Sequence, residues 1–140
     1  GILILSIAPL FGIAITLSQF LMMIMLMVLV SLSITSFGLL IASFLTSLEG
    51  FSAIMNFVVL PMFFLSGALY PVKSMPLFLQ YLAKINPLSY GIDSFKHVIL
   101  TADAESVLST DFSLAMDISV VVVFSIIMII LTSFSFERIE

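Results

Sequence analysis

Long hydrophobic runs, separated by short groups of polar residues and helix breakers, set the pattern of this chain, and its first charged residue is Glu49. As one helix rising 1.5 Å per residue, the uncharged run before Glu49 would extend about 72 Å, over twice a hydrocarbon core of ~30 Å. The pattern therefore predicts two membrane-spanning helices, at about 1–17 and 20–45. The turn between them is predicted at the breakers and polar residues Pro9, Gly12, Thr16, Ser18 and Gln19.

The span at 20–45 has two different halves. Its first half is rich in Met and Leu, whereas its second half contains several Ser and Thr residues and Gly38. Small hydroxyl residues allow helices to approach closely and to form interhelical hydrogen bonds in lipid. We therefore expect the second half to pack against protein and the Met-rich half to face lipid.

Two further segments are long and apolar enough to cross a membrane, at about 51–70 and 118–136, and a tight polar turn around Glu49 is predicted before the first of them. Pro61 interrupts this segment. Because proline removes a backbone donor and clashes with the preceding turn, a kink or local unwinding is expected there. The four segments predict an all-α polytopic membrane protein with about four transmembrane helices.

The sequence between the last two spans is of mixed polarity and contains Pro71, Pro76 and the pair Asn86-Pro87. It predicts two amphipathic helices within about 75–100, divided at Asn86-Pro87. Each has roughly 11 to 14 residues, against about 20 needed to cross a bilayer, so we expect a re-entrant or interfacial helical hairpin. A span that runs into two half-length helices is common where the backbone bends at membrane depth to build a gate or substrate path. Transport is therefore the leading functional interpretation.

Composition agrees with a membrane environment, because 62% of the residues are hydrophobic and 9% are charged, against about 25% charged in soluble domains. Lipid is therefore an expected partner, and the lack of a basic run argues against nucleic acid. Without Cys, disulfides and thiolate metal sites are excluded. Without a G-x-x-x-x-G-K-[ST] motif, the chain is not expected to bind ATP in the P-loop manner, and no cofactor is predicted within it.

Asp93 and His97 are four residues apart on one helical face, a spacing that could supply two metal ligands. No third ligand is evident from the sequence, so a helix-stabilising Asp–His pair near the membrane surface is favoured. Ser94 would complete the residue types of a catalytic triad. Three residues within one helical turn cannot easily align as nucleophile, base and orienting acid. The sequence therefore predicts neither a metal ion nor a catalytic residue.

The sequence from Leu60 to Leu100, LPMFFLSGALYPVKSMPLFLQYLAKINPLSYGIDSFKHVIL, resembles the C-terminal signature of ABC type 2 transport permeases, and the daunorubicin-resistance and multidrug efflux branch is nearest. The family pattern is an apolar span ending L-P-x-x-F-x-S-G-x-x-x-P, a short helix, then N-P-[LT]-x-Y and a helix with an acidic and a basic residue. The matching positions are Leu60, Pro61, Phe64, Ser66, Gly67, Pro71, Asn86, Pro87, Leu88, Tyr90 and Asp93. Lys96 stands where the family often has Arg. The preceding residues 36–51 also fit the family's fourth span and the turn after it.

The resemblance implies a permease subunit of six spans in the cell membrane, present here from the end of the third span onward. Such permeases work as two permease halves, identical or different, with two ABC ATP-binding subunits, which hold the ATP and Mg²⁺ and drive drugs, lipids or polysaccharides outward. By this resemblance, Pro61 forms the kink, Ser66 and Gly67 allow close packing, and the remaining signature residues form the gate and hairpin. The hairpin would face outward, with Glu49, Arg138 and the C-terminus cytoplasmic.

One observation disagrees with that orientation. Lys73, Lys84 and Lys96 lie on the hairpin side and only Arg138 on the other, so the positive-inside rule favours the reverse. Two alternative functions also stay open: an ATP-independent channel or structural anchor, and a membrane-embedded enzyme. The enzyme would need convergent acids, histidines or metal ligands from several spans, and the predicted spans contain almost none.

Overall fold

The computed structural model describes residues 1, 3, 7, 15–45, 47–99 and 110–137, and all regular structure in these ranges is helical. The five helices are α1 (Leu17–Ser43), α2 (Leu48–Leu65), α3 (Leu77–Ile85), α4 (Pro87–Ile99) and α5 (Leu114–Glu137), with a 3₁₀ turn at Val72–Ser74. Helices α1, α2 and α5 are long and apolar enough to cross a membrane. The prediction of an all-α polytopic membrane protein is therefore confirmed. Most of the predicted span at 1–17, and Arg138, lie outside the described residues.

Helix α1 begins at Leu17, earlier than the predicted start at 20, because Thr16 and Gln19 form a capping box. The Gln19 backbone N–H donates to Thr16 Oγ1 at 3.3 Å, and the Thr16 N–H donates to Gln19 Oε1 at 2.9 Å. This reciprocal pair satisfies two donors that a helix start leaves free. Gln19 also donates from Nε2 to the Val98 carbonyl at 2.9 Å, which ties the start of α1 to the end of α4.

Burial on α1 follows one face of the helix along its length. The buried residues are Met23, Leu26, Ser33 and Ser36. The expectation that only the hydroxyl-rich half packs against protein is therefore wrong, because Met23 and Leu26 form an apolar cluster with Val98. In the hydroxyl-rich half, Thr132 Oγ1 of α5 donates to the Ser36 carbonyl at 3.2 Å.

Helix α2 begins at Leu48, where Ser47 Oγ accepts a hydrogen bond from the Gly50 N–H at 3.1 Å. In place of the predicted polar turn, Glu49 lies in the capped first turn of the helix. Its negative charge there interacts favourably with the helix dipole. The helix continues through Pro61 without unwinding and ends at Leu65, short of the predicted boundary at 70. None of its described residues is buried, so α2 is held mainly at its C-terminal end.

Candidate functional site

Helix α4 places polar side chains on its buried face. The buried residues are Pro87, Ser89, Tyr90, Gly91, Asp93, Ser94, Lys96 and Val98. The large apolar residues of this helix are half-buried at Leu88, Ile92 and Phe95 and exposed at Ile99. In lipid this arrangement is favourable, because polar groups gain partners inside the protein while apolar groups tolerate the hydrocarbon. Helix α4 therefore joins polar groups from three other parts of the chain.

Asn86 joins the end of α2 to the start of α4. In an uninterrupted α-helix the Ser66 N–H would reach the Met62 carbonyl, but it bonds to the Phe63 carbonyl instead, at 3.2 Å. Asn86 Nδ2 donates to the Met62 carbonyl at 2.7 Å. Its Oδ1 accepts from the Leu88 N–H at 3.0 Å. One side chain thus hydrogen-bonds a carbonyl at the end of α2 and an N–H at the start of α4.

Ser89 supports the same junction from the first turns of α4. Its hydroxyl donates to the Leu65 carbonyl, the last residue of α2, at 3.2 Å. The last carbonyls of a helix have no partner within the helix, so the hairpin supplies the hydrogen-bond donors that cap the C-terminal end of α2. The residue pair Asn86-Pro87 therefore begins α4, and Asn86 also caps the end of α2.

Asn86→Ala should lower the free energy of unfolding by about 1–3 kcal/mol, because the Met62 carbonyl would lose its partner in a site where Asn86 is 6% exposed. Thermal unfolding of the purified protein in detergent, followed by circular dichroism, measures this change. Asn56→Ala is the matched control, since Asn56 is exposed on α2. Equal unfolding temperatures for the two variants would contradict the capping role.

Asp93 is the centre of a buried ionic cluster, and it is 2% exposed. Its Oδ1 and Oδ2 each lie 3.0 Å from the Asp111 backbone nitrogen, and Oδ2 accepts from the Phe112 N–H at 2.8 Å. Lys96 Nζ is 3.8 Å from Asp93 Oδ1 and 3.6 Å from Asp111 Oδ2. The carboxylate thus fixes the segment that leads into α5 and holds the Lys96 ammonium.

Asp111 extends this cluster to the segment after α2. Its Oδ2 accepts from the Val72 N–H at 3.1 Å and its Oδ1 from the Lys73 N–H at 3.2 Å. Lys73 Nζ in turn donates to the Thr110 carbonyl at 2.8 Å. The chain before the hairpin and the chain after it are therefore held together by backbone and side-chain bonds.

Gly67 lies against this cluster in a conformation that favours glycine, with φ +78°. A Cβ atom at this position would lie 3.2 Å from Val72 Cγ2, 3.4 Å from Lys96 Nζ and 3.6 Å from Asp111 Oδ2. Ser66 beside it is buried, and its hydroxyl donates to the Phe63 carbonyl at 2.6 Å. The Ser-Gly pair thus turns the chain at the end of α2 and leaves room for the ion pair.

Tyr90 connects α4 to α3 and to the start of α5. Its hydroxyl donates to the Lys84 carbonyl at 2.7 Å, and its ring stacks on Phe112 with centroids 4.6 Å apart. Burial, followed by the nearby Asp117 carboxylate, raises the pKa of the Tyr90 hydroxyl above its ordinary value. The hydroxyl therefore stays protonated and keeps its role as a donor.

His97 and Asp117 complete the cluster. His97 Nε2 lies 3.0 Å from the Phe112 carbonyl, 3.5 Å from Asp117 Oδ2 and 3.9 Å from Asp93 Oδ2. Asp117 is 0% exposed. The position of this acid beside a strongly apolar span is a signal in the sequence that could have singled it out.

The residues singled out from the sequence fall into two groups. Those brought together around the hairpin are Ser66, Gly67, Asn86, Pro87, Tyr90 and Asp93. Pro61 and Phe64 are exposed on α2 and lie outside this group, with Phe64 meeting Phe63 edge to face. Pro71 precedes the 3₁₀ turn, and its carbonyl accepts from the Ser74 N–H and hydroxyl at 3.0 and 2.7 Å.

Comparison with known proteins gives one family and two kinds of relative. A family profile described as ABC-2 type transporter matches residues 1–100. Nodulation protein J of Rhizobium meliloti (strain 1021) is 33% identical over 72 residues, covering 51% of this chain and 28% of that protein. The probable multidrug ABC transporter permease YbhR of Escherichia coli (strain K12) is 40% identical over 75 residues, covering 53% of this chain and 20% of that protein. The chain thus spans less than a third of either relative, and no solved structure matches it significantly.

Proposed function

Because this chain belongs to the ABC-2 type transporter family, whose profile matches residues 1–100 of 140, we propose that it forms part of the membrane-spanning permease subunit of an ATP-driven exporter. The subunit moves its substrate outward by alternating access. The family match is the observation that carries this proposal. The three apolar helices long enough to cross a membrane support it.

The proposed partners are an ABC ATP-binding subunit, which holds ATP and Mg²⁺ and hydrolyses the nucleotide, and a second permease copy. This chain is then a transport subunit and not itself an enzyme. Helix α2 supports such an assembly, because it has no buried residue of its own among those described. Its apolar surface is available to lipid and to a second membrane-spanning chain.

We assign the hairpin of α3 and α4 the role of an outer gate that moves with the spans. Asn86 and Ser89 bind carbonyls at the end of α2, and Asp93 binds two backbone N–H groups before α5. A displacement of α2 relative to α5 therefore pulls on hydrogen bonds at both ends of the hairpin. Packed elements of this kind transmit rigid-body movements between spans.

Lys96 bears on the proposed orientation, in which the hairpin faces outward and the C-terminus lies in the cytoplasm. Its side chain is 9% exposed, and its ammonium is paired with Asp93 and Asp111. A buried lysine that is paired with acids does not act as a free positive charge at the membrane surface. The excess of free positive charges on the hairpin side is therefore smaller than the sequence count. This weakens the argument for the reverse orientation, although Lys73 and Lys84 still outnumber Arg138.

The proposed substrate classes are drug-like molecules, lipids and glycans. One relative is named as a probable multidrug permease and another as a nodulation protein. These names describe different cargoes or processes within one family. Transport assays in which drugs, lipids and glycans compete with one another should therefore be used to identify the substrate class.

Purification of the full-length protein from gentle detergent should co-purify an ABC ATPase, because the family works with a separate ATP-binding subunit. Reconstitution of the permease with this ATPase should change the ATP turnover of the ATPase and give ATP-dependent uptake of a lipophilic drug, a labelled lipid or an oligosaccharide into inside-out vesicles. A permease paired with an ATPase unable to hydrolyse ATP is the control. A partnerless protein, from a membrane that retains its ATPases, would favour a channel or anchor.

A further inference from the structure

Asp117 is a fully buried acid that receives no hydrogen bond from the residues that the structure describes. It is 0% exposed. An isolated buried carboxylate is costly unless it is protonated, paired or coordinated to a metal. A positively charged ligand would offset this cost and keep Asp117 ionised.

Asp93 and His97 place further possible metal-ligand atoms close to the Asp117 carboxyl group. Single ligand atoms of Asp93, His97 and Asp117 all lie within 4.8 Å of one another, and His97 Nε2 is 3.5 Å from Asp117 Oδ2. Zinc binds imidazole nitrogen and carboxylate oxygen at about 2.0–2.2 Å, so neighbouring ligand atoms in a zinc site lie roughly 3–4 Å apart. Small movements of these side chains bring all three atoms to that separation.

We propose that Asp93, His97 and Asp117 bind a divalent transition-metal ion of the Zn²⁺ type, which clamps α4 to the first turn of α5. Imidazole together with carboxylates suits zinc better than magnesium or calcium, which prefer oxygen ligands alone. Ligation through Nε2 requires the His97 tautomer with its hydrogen on Nδ1, so the hydrogen bond that Nε2–H donates to the Phe112 carbonyl at 3.0 Å is exchanged for the bond to the metal. The Phe112 carbonyl, 3.0 Å from Nε2, is a further oxygen close to the ion.

The charges of the cluster favour a cation at this position. Asp93 and Asp111 already share the ammonium of Lys96, and Asp117 adds a third carboxyl group whose basic neighbour within 4 Å, among the described residues, is the His97 ring. A bound divalent ion offsets this excess of negative charge inside a low-dielectric site. The inference rests on this geometry and is independent of the transport proposal.

The test is a titration of the full-length protein, stripped with a chelator, with Zn²⁺ under calorimetry, and a measurement of its metal content. We expect one high-affinity Zn²⁺ per chain and a higher unfolding temperature with the metal than with EDTA. Asp117→Asn should weaken Zn²⁺ binding by at least about 100-fold, since even second-shell changes cost 10–100-fold. Substitution with Co²⁺ should give a visible absorption spectrum that this variant lacks.

Asp117→Asn suits this test because it removes no hydrogen bond among the described residues, so the variant should fold. His97→Gln is the second variant and should lose the ion as well. Glu49→Gln removes an exposed acid at the start of α2 and should bind zinc as the wild type does. Absence of stoichiometric Zn²⁺ binding would overturn the proposal. Retention of binding by Asp117→Asn would overturn it too, as would equal unfolding temperatures of the wild-type protein in zinc and in EDTA.

Discussion

Asp93→Ala should lower the free energy of unfolding by about 3–5 kcal/mol, the range observed when one partner of a buried ion pair is removed. The carboxylate accepts hydrogen bonds from the Asp111 and Phe112 N–H groups and lies beside the Lys96 ammonium. Its removal leaves two buried donors without an acceptor. It also leaves Lys96 with Asp111 as its remaining acidic neighbour within 4 Å among the described residues.

The consequence should be visible before any transport assay. Circular dichroism of the purified full-length protein in detergent should show a lower unfolding temperature and a smaller yield of folded protein for Asp93→Ala. Asp93→Asn should also be destabilised, because its amide oxygen can accept both backbone bonds in place of Oδ2 but its NH₂ group then faces the Lys96 ammonium where Oδ1 lay. Glu49→Ala, at an exposed acid, should change the free energy by less than about 1 kcal/mol. A similarly small change for Asp93→Ala would show that the cluster does not hold α4 to α5.

Gly67→Leu should reduce export while leaving membrane insertion intact. A non-glycine residue in the left-handed region costs about 1–2 kcal/mol, and forcing extra atoms into a packed site costs about 1–3 kcal/mol more. The new side chain would begin 3.2 Å from Val72 Cγ2 and 3.4 Å from Lys96 Nζ. We therefore expect it to displace Lys96 from Asp111 and to loosen the connection between α2 and the hairpin.

Export by the full-length transporter and the amount of protein in the membrane fraction should be measured together. Gly67→Ala and Gly38→Ala are matched variants, because each adds one methyl group to a glycine. A Cβ at Gly38 would meet only Met55 Cε, at an ordinary 3.7 Å, and alanine is favoured over glycine within a helix, so Gly38→Ala should retain full export. Wild-type export by Gly67→Leu would contradict the packing role of Gly67.

The helices could be predicted from hydrophobic length and from proline positions, but one boundary signal was overlooked. Thr16 followed three positions later by Gln19 is a capping-box pattern, and the structure begins α1 directly after Thr16. Treating both residues as part of a polar turn placed the helix start too late. The Pro-based division of the hairpin was a clearer signal, since Asn86 separates α3 from α4.

The buried face of α1 could not be read from the sequence. In water, burial separates apolar from polar residues and leaves a helical periodicity, whereas lipid accepts apolar residues as readily as the protein interior does. Met23 is buried and Met25 is exposed on the same helix, although the two residues are chemically identical. Only the positions of α4 and α5 distinguish them.

The polar cluster was predicted in part. Asp93, His97 and the Asn86-Pro87 pair could be singled out from their spacing and from the family resemblance. Asp111 and Asp117 could not be connected with them, because the contacts arise when the start of α5 folds against α4. His97 Nε2 and Asp117 Oδ2 are 3.5 Å apart although no helical periodicity relates the two positions.

The interhelical partners of α1 also constrain how the chain is made. Gln19 binds the carbonyl of a residue 79 positions later, and Ser43 meets Ser135, 92 positions later, at 2.7 Å. At a synthesis rate of ~5–20 residues per second, roughly 5–18 s pass between translation of Ser43 and translation of Ser135. During this interval α1 resides in the insertion machinery or the bilayer without its α5 partner, while Ser36 and Ser43 keep hydrogen bonds to carbonyls of their own helix. The bundle therefore closes only after α5 has been translated, and ribosome pausing before Leu114 should prolong the exposure of α1 to membrane quality-control proteases.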